Sequence, residues 1–168
     1  MTAPTSRQFL TALASGEGVD RVSVHLESTA SSVGKARRFV ERQLVSWGFP
    51  PDEDVVQRVV LTVSELATNA VLHGRSRPPA EDELIEVALS LKPDFALGVA
   101  VTDDSDALPL TPTSTSATAT RGRGLVLVSA LADSWMTAPR QRQEAHQGKD
   151  VWAFFRCHET SVALPRTA

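Results

Sequence analysis

SELATNAVLHG, Ser64–Gly74, is the stretch on which the reading of the whole chain turns. It holds no Pro, and no Gly before its last residue, so it reads as helix. Glu65, Asn69 and His73 recur every four residues, and at about 100° per residue they form one ridge. Thr62 extends that ridge upstream, while Val56, Val59, Val63, Ala67 and Ala70 fall on the opposite side. Leu61 and Leu72 flank the ridge, and Arg58, one turn below, is its only basic neighbour. Two readings stand at this point. An amphipathic helix ordinarily turns a polar strip to solvent. A narrow strip on a helix that is apolar around most of its circumference also suits the wall of a groove.

Working outward, Pro51-Asp52-Glu53-Asp54 supplies acids where a helix N-terminus favours them. Upstream, Val33, Ala36, Val40, Leu44 and Trp47 mark an earlier helix, which Gly48 and Pro50 end. Arg21–Glu27 alternates Val22, Val24 and Leu26 with polar residues and reads as a strand. Residues 1–20 are expected to form a loose arm, with a helical turn at Phe9–Leu13. Downstream, Ile85, Val87, Leu89 and Leu91 alternate, as do Phe95, Leu97, Val99 and Val101, around a hairpin at Lys92-Pro93-Asp94. LTPTSTSATAT, Leu110–Thr120, cannot build a core and is expected to be a mobile loop within the domain. Leu125, Val128, Leu131 and Ala132 then space as a helix, Trp135 begins a strand, and VWAFF, Val151–Phe155, reads as a buried strand. The order is α+β: a two-layer sandwich with helices on one face of a mainly antiparallel, mixed sheet. The domain is expected to span 21–157, with a tail at 158–168.

Bulk composition narrows the class. The 168 residues are 42% hydrophobic and 22% charged, an ordinary globular balance, with a net charge of −3. That charge argues against a broad grip on nucleic acid or on an anionic membrane. Cys157 is the only cysteine, which excludes an internal disulfide or a Cys-rich metal site and fits a reducing, cytoplasmic setting. The opening MTAPTSRQFLTALASGEG lacks the pattern of a signal peptide, and no apolar run approaches the length of a membrane span.

Two further segments carry chemistry. VAVTDDSDALP ends a strand in Asp103, Asp104 and Asp106. This is a polar turn, a hard-cation site, or a carboxylate that reads a hydrogen-bond donor on a ligand. RGRGL, Arg121–Leu125, sets two glycines and two arginines before a helix, where backbone N–H groups and the dipole favour an anion. It is neither a Rossmann fingerprint nor a P-loop.

Taken together, VVLTVSELATNAVLHG, VTDDSDALP, GRGLVLVSALADSW and GKDVW resemble the GHKL, or Bergerat, ATP-binding fold. The likeness is greatest to the anti-sigma factor serine kinases of Gram-positive bacteria and their actinobacterial relatives, over roughly Val22–Phe155. The resemblance implies ATP and Mg²⁺ as ligands, with Glu65 as general base towards a serine hydroxyl and Asn69 as the metal ligand. It puts His73 on the pocket wall and Asp103 on the adenine amino group. It places Ser105, Arg121, Gly122, Arg123, Gly124, Leu125 and Asp150 around the nucleotide, with the loop at 110–121 as a lid. Implied partners are a sigma factor and an anti-anti-sigma protein of the STAS type, with a homodimer as the implied assembly. Phosphoryl transfer needs such a set for positioning, charge neutralisation and proton removal.

The chain also departs from the family pattern. Ser105 and Ala107 stand where glycines are usual, although Leu108-Pro109 suits the actinobacterial branch. Leu127 replaces the third glycine of the phosphate motif, and Asp150 replaces the Thr that usually supports the adenine aspartate, which puts an acid near Asp103. Two activities therefore stand open: a serine protein kinase, and a catalytically weak or inactive ATP-dependent switch that sequesters a partner.

Overall fold

Alternating apolar residues build a sheet that is buried most deeply at its centre. A computed structural model describes residues 3–14, 16–75, 82–105, 123–140 and 148–157. Its strands are β1 (Asp20–Glu27), β2 (Leu84–Lys92), β3 (Ala96–Asp103), β4 (Ser134–Arg140) and β5 (Gly148–Arg156). They form one sheet in the order β1-β2-β3-β5-β4, and every neighbouring pair is antiparallel. The helices are α1 (Ser6–Ala14), α2 (Ser31–Ser46), α3 (Asp54–His73) and α4 (Arg123–Leu131). The α+β fold read from the sequence is the one observed, but the sheet is antiparallel throughout rather than mixed, and one helix, α1, lies on the face opposite the others.

One face of the sheet carries the main core. Ile85, Val87, Leu89 and Leu91 of β2, Leu97, Val99 and Val101 of β3, and Val151, Ala153 and Phe155 of β5 point to it. Ala36, Val40 and Leu44 of α2 meet them, with Val56, Val59, Val63, Leu66, Ala67 and Ala70 of α3 and Leu125 and Val128 of α4. By length and composition α3 could cross a membrane. Its burial between α2, α4 and the sheet accounts for that composition as a core helix's, a case that counting unbroken apolar runs does not catch.

The hairpin between β2 and β3 closes on Lys92 and Ala96, leaving Pro93, Asp94 and Phe95 in the turn. Asp94 takes a left-handed φ of 58°, which a short polar side chain tolerates. The Phe95 N–H donates to the Lys92 carbonyl at 3.2 Å.

The opposite face holds a smaller core that the sequence reading did not anticipate. Residues 6–14 form a full helix there, longer than the turn expected at Phe9–Leu13. Phe9 and Leu13, four residues apart, pack against Ala96 and Phe154, with Trp152 and Met136 beside them. The Phe9 ring stacks on Phe154 with centroids 5.3 Å apart, and Trp152 stacks on Phe154 in turn at 5.8 Å. Gly98 makes room, because a Cβ there would lie 2.6 Å from Leu13 Cδ1. The end of the helix is tied down as Arg21 donates to the Leu13 carbonyl at 2.6 Å. This second layer explains why β3 is buried on both faces.

Phe9→Ala should therefore lower unfolding stability by about 3–5 kcal/mol in urea titration, the usual result of emptying a buried aromatic site. A loss below about 1 kcal/mol would show that α1 adds little to the fold.

Candidate functional site

The polar ridge of α3 meets the start of α4. Glu65 and Asn69 are half-buried, and Thr62 is fully buried with a hydroxyl that has no hydrogen-bond partner among the described residues. A Cβ at Gly124 would lie 2.9 Å from Glu65 Oε2 and 3.4 Å from both Asn69 amide heteroatoms. Only glycine lets the two helices approach this closely at that point. Leu125 and Val128 anchor α4 in the core, and Arg58 donates to the Leu131 carbonyl at 2.9 Å to hold its far end. Arg58 is itself fixed by Asp54 at 2.8 Å and by the face of Phe155. The first turn of α4, whose leading N–H groups have no partner within the helix, is thus set against a carboxylate and an amide on α3.

A second corner lies where α3 ends. Gly74 faces Asp103, since a Cβ there would stand 2.5 Å from the carboxylate Cγ and Oδ2. On the other side, a Cβ at Gly148 would run into the Asp103 carbonyl. Asp103 Oδ1 accepts from Lys149 Nζ at 2.8 Å and from the Ser105 N–H at 3.0 Å. Asp103 is 4% exposed and Lys149 6%, so this is a buried ion pair. Burial pushes the Asp103 carboxyl above its usual range; Lys149 and the Ser105 N–H pull it down, and Asp104 adds to the rise.

These features, a polar ridge on α3, a strand-end aspartate and a glycine at a helix start, belong to a recognisable whole. The family model for the histidine kinase-like ATPase domain matches residues 26–154. The chain belongs to that family. Among solved structures it is similar to a chain of the SiaB–SiaC complex from Pseudomonas aeruginosa, with a TM-score of 0.58 at 11% identity. That match covers 89% of this chain and 95% of the other, and at such identity it is a likeness of fold. No curated protein matches the chain.

Within this ATPase-family domain, the residues singled out in the sequence fall into groups. Glu65, Asn69 and Gly124 come together, and Asp103 and Ser105 form the second corner. His73 is exposed at the end of α3, and Arg123 is exposed at the start of α4. Leu125 is buried under α4. Arg121, Gly122 and the loop at 110–121 lie outside the described residues, as does the tail at 158–168.

Asp150 requires a correction. It does not sit against Asp103: it pairs in register with Thr102, whose hydroxyl donates to Asp150 Oδ1 at 2.6 Å. Val151, Ala153 and Phe155 point into the main core, so alternation sends Lys149 to that face and Asp150 to the other. Lys149 is the residue sequence reasoning missed, and the strand period was the signal for it. The cation-site reading of Asp103, Asp104 and Asp106 also gains nothing. Asp103 is engaged by an ammonium, Asp106 lies outside the described residues, and among those described no three His, Cys, Asp or Glu side chains form a metal site. Cys157 is buried, and burial first, then nearby acids, push its thiol up to about 12, which keeps it protonated and inert.

Asp103→Ala should cost about 3–5 kcal/mol in denaturant unfolding, because it leaves the Lys149 ammonium buried without a counter-charge. Adding Lys149→Met should recover most of that loss. Equal destabilisation in the single and double variants would mean the pair is not the cause.

Proposed function

We propose that this chain binds ATP with Mg²⁺ and acts as a regulatory protein of the partner-switching kind, transferring phosphate to a serine of a small protein partner. The observation that carries the reading is the contact of Gly124 with Glu65 and Asn69. It sets a helix N-terminus, suited to phosphate, beside a carboxylate suited to a proton and an amide oxygen suited to a hard cation. A side chain at position 124 would run into Glu65 and Asn69, so glycine is what brings the α4 backbone, with its leading N–H groups, this close to both.

In this reading ATP supplies the phosphoryl group, and bound Mg²⁺ would neutralise part of its charge. Asn69 holds the metal and the α4 N-terminus orients the phosphates. Arg123 and Arg121 add positive charge, and Gly122 is a phosphate-loop glycine that lets the backbone approach the anion. Glu65 takes the proton from the attacking serine hydroxyl, and Asp103 reads the purine. His73 and Ser105 border the pocket. The serine belongs to an anti-anti-sigma protein of the STAS type, and phosphorylation of that partner frees this chain to hold a sigma factor in the cytoplasm. A homodimer is the assembly proposed. The fold shared with a chain of the SiaB–SiaC complex is compatible with a protein that works through a partner.

A second reading, a nucleotide-dependent binding switch without phosphotransfer, draws support from Ser105, Ala107 and Leu127, which stand where the family pattern has glycines. Incubation with γ-labelled ATP and a serine-bearing candidate partner separates the two. Under the kinase reading the wild-type chain labels the partner, and Glu65→Gln slows labelling at least about 100-fold, as loss of a general base does. ATP affinity should change less than about threefold. Labelling that survives Glu65→Gln removes this residue as base. A wild-type chain that binds ATP and partner yet never labels it is the switch.

A further inference from the structure

We propose that Lys149 sets the base selectivity of the site: with Asp103 it forms a joint donor and acceptor that takes either a 6-amino or a 6-oxo purine nucleotide. The inference rests on the nucleotide-binding reading given above, in which Asp103 reads the base.

A buried carboxylate alone is a one-sided device. It accepts a hydrogen bond from a 6-amino group, and it repels the carbonyl oxygen that a 6-oxo purine presents at the same place. Sites of that kind reject the wrong analogue strongly, because a buried polar group is left without a partner. Here the carboxylate does not stand alone. Lys149 Nζ lies 2.8 Å from Asp103 Oδ1, and both residues are buried. The ammonium has three donor hydrogens, and among the described residues Asp103 is its ion-pair partner. Oδ1 also takes the Ser105 N–H, and Oδ2 lies against Gly74.

The pair is held by backbone rather than by chance of rotamer. Asp103 and Lys149 are register partners across β3 and β5, and the absence of a side chain at Gly148 lets the strands close behind them. A purine edge meeting this corner therefore finds a charged donor beside a charged acceptor. The 6-amino group can give its hydrogen to Asp103, and a 6-oxo group can take one from Lys149. Discrimination between the two should be weak for a reason that lies in Lys149.

The test is calorimetric titration of the full chain with ATP and with inosine triphosphate, both with Mg²⁺, for wild type, Lys149→Thr and Lys149→Arg. Thermal melting of each variant accompanies the titrations. The expected result is an ATP to inosine triphosphate affinity ratio within about threefold for wild type and for Lys149→Arg, rising to at least about thirtyfold in Lys149→Thr. A cooperatively folded Lys149→Thr with an unchanged ratio would overturn the proposal. So would a wild-type preference for ATP above about tenfold, which decides the matter even if Lys149→Thr does not fold. In that last case ATP binding itself stands; failure of the wild-type chain to bind either nucleotide would overturn both this proposal and the ATP-binding reading.

Discussion

The approach of α4 to α3 at Gly124 is the constraint on which the site depends. α3 is buried along Val56, Val59, Val63, Leu66, Ala67 and Ala70, so its rotation is fixed by the core and not by its polar residues. That rotation leaves Glu65 and Asn69 on the side where α4 begins. α4 is then pinned by Leu125 and Val128 beneath it and by Arg58 at its end. With both helices fixed, the gap between them is set by whatever stands at position 124, and glycine keeps it narrow. The same logic recurs at the second corner, where Gly74 and Gly148 let α3 and β5 close on Asp103.

Much of this was legible in the sequence because it is periodic. Alternation in Ile85–Leu91 and Leu97–Val101 gave the central strands, and the four-residue spacing of Glu65, Asn69 and His73 gave the ridge. What was not legible depends on contacts between distant segments. Residues 6–14 look like a polar arm until Phe154 and the vacancy at Gly98 are known to face them. Thr62 reads as part of the polar strip yet is fully buried, while Leu61 and Leu72 read as apolar flanks yet stand exposed. The ridge is therefore narrower and sits deeper than its pattern suggests. Lys149 lies between these cases. The alternation of Val151, Ala153 and Phe155 already sends it inward, but its partner became clear only from the register of β3 with β5.

Electrostatics divides the site into two parts with different demands. Near Gly124 the groups are half-buried, and a carboxylate and a neutral amide stand side by side against the start of α4. Near Asp103 the charges are buried and already balanced by Lys149. A balanced pair contributes little net stability, because desolvation offsets the attraction, but removing either half is costly. Such pairs fix geometry, and this one fixes the end of β3 against β5. Membership of the histidine kinase-like ATPase family covers both corners, since the matched residues 26–154 run from the end of β1 into β5.

The central claim is that the ridge of α3 facing Gly124 is a Mg²⁺-dependent ATP site. Calorimetric titration of ATP, with and without Mg²⁺, into the wild-type chain and Asn69→Ala tests it most directly. Wild-type binding should strengthen with Mg²⁺, and Asn69→Ala should weaken Mg²⁺-supported binding at least about tenfold while leaving the melting profile intact. No ATP binding by the wild-type chain, or equal Mg²⁺-dependent affinity in both proteins, would contradict it.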